Sequence, residues 1–445
     1  MSFRAVHAGA GYQYLLRSVA TNDAYDQSTE TGKLASYYAA KGTPPGRWLG
    51  RGLTALESSS VAAGQVVEAD QMAALYGLGL HPDTDSKLLE GSSLKDCQLG
   101  GKFPSYTNNI PVLNALRSAE SSFLRDHNRL PSDAERSELA VSVGRPFYVE
   151  ATGYTNAPAR DVVAWVNLQR AEVKQAVAGY DLTFSPAKSV SVLWALSDER
   201  TASRIAACHH EAVAEVLAWA EDNVVRTRQG TGGLAQVRSR GLLAAEFTHF
   251  DTRSGDPDLH SHVLISNKVQ GPDGKWRALD GRPLFMNHQT LSARYDSVLQ
   301  EILTRKMGIS FEASSRGRDK APVWEVAGVP QKLIDVFSKR RTLARPVYET
   351  MLSAYVAKHG HQPDHQTVKQ LWQAAILDTR DAKKPAESLA DLRATWAQEA
   401  REASDGEDLI EKLKEMVGTS PQDRRPYFFG ADDGQVRHEL RKRGE

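Results

Sequence analysis

Residues 241–270 limit the fold more than any other stretch of the chain. Two runs, "GLLAAEFTHF" (241–250) and "HSHVLISNKVQ" (260–270), enclose "DTRSGDPDL" (251–259). The outer runs are rich in apolar and β-branched residues, and Asp, Gly and Pro between them favour turns. The segment therefore predicts two strands joined by a loop. A chain with such a pair at its centre is expected to build an antiparallel sheet around it. Further strands are expected at "YDLTF" (180–184), "SVSVLWAL" (189–196), "VVRTRQ" (224–229), "ISFEAS" (309–314) and "VWEVAG" (323–328).

Helical spacing surrounds these runs. The segment 198–223 predicts a long helix whose apolar face holds Ile205, Val213, Val216, Leu217 and Trp219, and a second helix spans 287–307. The N-terminal "MSFRAVHAGAGYQYLLRSVA" predicts a short strand that turns at Gly9 and Gly11 into a helix. Beyond Pro330 the pattern is helical. The fold class expected is α+β, a central mainly antiparallel sheet with flanking helices and a helical C-terminal region. Four parts are expected: 1–90, a polar accessory segment at 91–157, a core at 158–330, and a helical region at 331–445.

Charge is uninformative at the level of the whole chain, since 55 Lys and Arg balance 55 Asp and Glu. Only Cys97 and Cys208 are cysteines, too few for a disulfide framework and suited to a reducing compartment. No signal-peptide pattern and no run of membrane-spanning length is present, so a soluble cytoplasmic protein without membrane insertion is expected.

The outer runs also carry chemistry. His260 and His262 lie two apart on a strand and so share a face, with Ser261 pointing the opposite way. His249, near the end of the preceding strand, joins them if the two strands pair. Three neutral imidazoles on rigid strands bind a divalent metal ion and leave positions for water or substrate oxygens, which points to Lewis-acid chemistry. His209 and His210 fall on the long helix and are expected at its surface; His7, His359, His361 and His365 are given no role.

"HFDTRSGDPDLHSHVLISN", with "GYDLTFSPAKSVSVLWAL" upstream and two tyrosine motifs near the N-terminus, resembles the conjugative relaxases of the TrwC/TraI type (MobF). The family's three-histidine motif falls on His249, His260 and His262. Its acidic strand motif falls on Asp181, although the following Pro186-Ala187 reverses the usual order. The first tyrosine motif is best matched by Tyr14, with Tyr12 the alternative; the second falls on Tyr37 and Tyr38. The resemblance covers most of 1–60 and 175–400 and fits 91–157 poorly.

Such a resemblance implies metal-dependent nicking and transfer of single-stranded plasmid DNA at an origin of transfer, through a covalent 5′-phosphotyrosine. The ion would be Mg or Mn ahead of Zn, and other proteins of the transfer complex would be partners. Tyr14 would be the first nucleophile, Tyr37 or Tyr38 would serve a second transfer, and Asp181 would accept a hydrogen bond from a ligand histidine. Family members commonly continue into a helicase. No G-x-x-x-x-G-K-[ST] loop occurs here, so a relaxase module is expected, complete or cut from something longer.

DNA contacts are expected from Arg253, in the loop between the histidine strands, and from Lys339, Arg340 and Arg341. The last three lie in a span, 281–350, with twelve Lys and Arg against seven Asp and Glu. Trp48 and the Tyr37–Tyr38 pair are candidates for stacking on unpaired bases, with core packing the alternative. The competing functions are a rolling-circle replication initiator and a non-catalytic DNA-binding regulator.

Overall fold

The structure, a computed structural model, describes residues 1–16, 44–104, 110–171, 173, 175–315, 322–379, 388–403 and 413. Tyr37 and Tyr38 lie outside them. The chain opens with strand β1 (Ser2–His7) and a short helix α1 (Gln13–Leu16). The turn between them depends on glycine: Gly9 has φ 84°, and a Cβ on Gly11 would stand 2.2 Å from the His7 carbonyl oxygen. Strand β2 (Arg47–Leu49) follows, then helices α2 (Ala69–Met72, continuing as a π turn over Ala73–Leu78) and α3 (Thr84–Leu89).

Helices α4 (Pro111–His127), α5 (Asp133–Thr152) and α6 (Ala159–Ala171) come next. They share a small core of Val112, Leu113, Leu116, Ala140 and Val166. This packed unit runs across residue 157, the expected end of the accessory segment.

Strand β3 (Val177–Phe184) leads into helices α7 (Lys188–Leu196) and α8 (Glu199–Asn223). A ribbon of β4 (Arg226–Gln229) and β5 (Ala235–Arg238) precedes the central pair, β6 (Ala244–Asp251) and β7 (Pro257–Ser266). Short strands β8 (Val269–Gln270) and β9 (Trp276–Arg277), helices α9 (Gly281–Met286) and α10 (His288–Met307), and a second ribbon of β10 (Phe311–Ser314) and β11 (Val323–Val326) complete the core. The chain then runs through α11 (Gln331–Val336), α12 (Lys339–His359), α13 (His365–Asp378) and α14 (Leu389–Glu402).

Five strands form the central sheet in the order β1-β3-β7-β6-β2, each antiparallel to its neighbours. Alternation along the strands divides the core in two. Leu182, Phe184, Val263 and Ile265 meet α7, α8 and α10, with Trp194, Ile205, Val213, Val216 and Leu299 among the buried contacts. Val6, Ala178, Ala245, Phe247 and Leu264 face the other way, beneath Tyr12, Leu15, Trp48, Leu53, Leu75 and Tyr76. At about 1.5–3 kcal/mol for each large apolar side chain removed from water, the two clusters fix the sheet between its layers.

One expected strand is a helix. "SVSVLWAL" forms most of α7, and every residue from Ser189 to Leu196 is buried. A short run that is apolar on all sides has no period to separate a buried strand from a buried helix. Its two serines are satisfied locally, since the backbone N–H of Val326 donates to Ser189 Oγ (2.7 Å) and that of Leu259 to Ser191 Oγ (3.2 Å). The helical C-terminal region does not stand apart from the core. Trp396 of α14 is fully buried against Trp194, and its indole N–H donates to the Gly255 carbonyl at 2.7 Å. Among the described residues, no helix is long and apolar enough to cross a membrane.

Candidate metal and strand-transfer site

The register of β6 and β7 sets His249 directly opposite His260 and Phe247 opposite His262. All three histidines point to the face that carries α1. Their ring centroids are 4.9–5.3 Å apart, and one ring nitrogen from each lies within 4.8 Å of the others.

Two of the rings are held by their second nitrogens. His260 Nδ1 donates to the Asp258 carbonyl oxygen at 2.8 Å, and His262 Nδ1 donates to Asp181 at 2.9 and 3.0 Å. Both bonds fix the proton on Nδ1 and leave the Nε2 lone pair as the ligand atom, the usual arrangement around metal-binding histidines. Burial lowers the pKa of His260, partly offset by Asp258, so the ring favours the neutral form that a ligand requires. Three nitrogen donors on neighbouring strands fit a divalent ion on this evidence of geometry and tautomer.

Asp181 joins His262 to the tyrosine. It is 3% exposed and sits on β3 next to β7, where it accepts hydrogen bonds from His262 and from the Tyr14 hydroxyl. The Tyr14 ring meets His262 edge-on, with centroids 6.0 Å apart. Burial, and then the Asp181 carboxylate, push the Tyr14 phenol far above its ordinary value, while Arg4 acts in the opposite sense. The resting tyrosine therefore keeps its proton. Tyr12, two residues earlier, turns into the core with no exposed surface, and its hydroxyl lies 3.3 Å from an Arg136 guanidinium nitrogen.

The other expected residues are placed differently. Arg253 is exposed in the loop between β6 and β7. Lys339 begins α12, and its ammonium binds both oxygens of Glu399 at 2.7 Å and lies 3.7 Å from Asp256. That pairing gives Lys339 a structural task between α12, α14 and the loop. Arg340 and Arg341 are exposed on α12. Trp48 has no exposed surface and donates its indole N–H to Gln71 at 2.9 Å, so it offers no stacking face to a base.

His209 corrects the surface reading of the histidines on the long helix. It is fully buried, with Nδ1 2.6 Å from the Tyr295 hydroxyl and Nε2 2.9 Å from Ser261 Oγ, and burial drives its pKa well down. Ser261 is the residue between His260 and His262, so His209 supports the ligand strand from behind. The signal was available: 205, 209, 213 and 216 share one helix face. His210 Nδ1 sits 2.8 Å from buried Glu246. Arg4, Asp258 and Thr183, whose hydroxyl lies 3.4 Å from His262 Nδ1, also escaped the sequence reading.

Residues 8–403 match the family described as TrwC relaxase. Among curated proteins, the chain is similar to the multifunctional conjugation protein TraI of Escherichia coli, 27% identical over 259 residues. TraI of E. coli strain K12 aligns at 27% over 261 residues. Both alignments cover 54% of this chain, which spans about a seventh of the relatives' length, 14% in each case. A solved structure of the conjugative relaxase TrwC with oriT DNA, copper-bound, shares the fold at TM-score 0.52 and 20% identity. A metal-bound TrwC–oriT complex gives TM-score 0.50 and 21% identity; each match covers 92% of this chain and 99% of the other.

Proposed function

Because the chain belongs to the TrwC relaxase family, we propose that it nicks and transfers single-stranded plasmid DNA at an origin of transfer, with Tyr14 as first nucleophile. The observation that carries this reading is the hydrogen-bonded series Tyr14–Asp181–His262 beside two further histidines. It joins a nucleophile, a proton acceptor and a candidate metal site on one sheet face. TrwC has been solved with oriT DNA, which supports the same class of partner here.

His249, His260 and His262 would hold the ion. When bound, a divalent ion draws charge from a non-bridging phosphate oxygen and lowers the cost of attack. Among Mg, Mn and Zn, a donor set of three imidazoles suits the transition ions better than Mg, which prefers oxygen ligands. Asp181 holds the Tyr14 hydroxyl and accepts its proton as the Tyr14 oxygen–phosphorus bond forms. The bond from phosphorus to the 3′ oxygen breaks, and that oxygen takes up a proton to leave as a hydroxyl. The reverse steps religate the strand, with the tyrosine oxygen as leaving group. Tyr37 or Tyr38 would accept a second transfer, and other proteins of the transfer complex would be partners in a cytoplasmic setting.

Covalent capture tests the reading. Single-stranded oligonucleotides tiling the chain's own transfer origin should leave one fragment attached to the protein under denaturing conditions. The adduct should vanish on chelation and return with added Mn, and less fully with Mg. Absence of any adduct across the tiled origin would overturn the proposal.

A further inference from the structure

Arg4 lies on β1 directly opposite Asp181 in the register of β1 and β3. Paired positions share a sheet face, so the arginine belongs to the face of Asp181, His262 and Tyr14. An arginine facing a carboxylate across two strands would ordinarily pair with it. Here Asp181 is already engaged by Tyr14 and His262. The Arg4 guanidinium instead lies over the Tyr14 ring, 5.6 Å from its centroid. The side chain is exposed, and among the described residues it has no hydrogen-bond or ion-pair partner.

We propose that Arg4 is a catalytic residue that binds the phosphoryl group as it passes to and from Tyr14; this rests on the strand-transfer reading above. A phosphodiester entering the site is an anion approaching the carboxylate of Asp181. The histidines oppose that repulsion from one side of Tyr14 only when an ion is bound. Arg4 supplies a permanent positive charge beside the tyrosine ring, with planar donors suited to two phosphate oxygens at once. It makes and breaks no covalent bond and moves no proton. Its charge offsets the added charge on the phosphoryl oxygens during attack and favours the tyrosine oxygen as leaving group during religation. Loss of one such donor lowers catalytic rates by about 10²–10³-fold in comparable anion-stabilising sites.

Two measurements test the assignment. In single-turnover cleavage of an oligonucleotide cut by the wild-type chain, Arg4→Ala should slow the reaction about 100-fold at saturating DNA. Arg4→Lys should recover part of the loss, because charge returns without the planar fork. The second measurement needs no cleavage. In a Tyr14→Phe background, a 5′-phosphorylated oligonucleotide and its 5′-hydroxyl twin are titrated with Arg4 present and with Arg4→Ala. The phosphate should strengthen binding about tenfold with Arg4 and less than threefold without it. An equal phosphate increment in both proteins overturns the proposal, as does an unchanged cleavage rate in Arg4→Ala. If the wild-type chain forms no adduct, the strand-transfer reading fails, and the phosphate increment still decides what Arg4 binds.

Discussion

Asp181 links Tyr14 to His262 on the candidate face, and these two hydrogen-bonded partners make different demands. His262 donates from Nδ1 to the carboxylate, which holds its proton there, and Tyr14, as the proposed nucleophile, would need an acceptor for its proton. Asp181→Asn preserves shape while supplying a much poorer proton acceptor. Cleavage should fall at least 100-fold, and metal affinity should drop about 10–100-fold, as for other partners of ligand histidines. Paired single-turnover and metal-titration measurements would show whether both functions move together. His260→Ala and His262→Ala should each abolish cleavage and leave single-strand binding within a few-fold of wild type. Binding is spread over many backbone contacts, whereas the ion acts mainly in the transition state. Filter binding beside adduct formation checks this, and equal loss of both would make the histidines structural. At this scale the sequence was readable where strand alternation decides, as for His260 and His262. The choice between Tyr12 and Tyr14 depends on how the turn after Gly9 feeds a four-residue helix, since Tyr12 in that turn enters the core while Tyr14 on the helix meets Asp181. Arg4 had no signal, because one arginine on an edge strand is ordinary surface until its neighbours are known.

Elements were legible in proportion to their periodicity. The β6–β7 pair announced itself through turn residues between two apolar runs, and α8 through its regular stripe. The segment that became α7 had no polar side, so its period could not be read. Residue type alone places His209 in solvent, whereas its spacing places it on the buried stripe. Junctions between elements left little trace in the sequence. Glu221, near the end of α8 and 4% exposed, accepts from the backbone N–H of both Arg51 and Leu242 at 2.8 Å, and from Arg51 Nε at 2.7 Å. It thereby ties α8 to the segment after β2 and to the approach to β6. Glu221→Ala would strand those amides, and each loss of this kind costs about 1–3 kcal/mol. Denaturant titration should show a midpoint clearly below wild type. A midpoint shift near zero would mean that water replaces the carboxylate without penalty.

For the whole molecule, the sheet acts as a divider. One face is packed shut by α7, α8 and α10, and the other gathers residues from distant parts of the chain around Tyr14. The TrwC relaxase family match over residues 8–403 spans both faces, the three-helix unit of α4 to α6, and the C-terminal helices that anchor through Trp396. That architecture brings Tyr14, the proposed nucleophile, to metal-binding candidates that lie beyond residue 248 in the chain. Folding brings together groups that no local motif contains. The central proposal is that the Tyr14 hydroxyl oxygen is the nucleophile that accepts the phosphoryl group in the first transfer, and it has a direct measurement. After capture of a cleaved oligonucleotide, proteolysis and mass spectrometry of the DNA-linked peptide identify the modified residue. The account predicts the adduct on Tyr14, its loss in Tyr14→Phe, and an unchanged first cleavage in Tyr37→Phe. An adduct on Tyr12, or on Tyr37 alone, would contradict it.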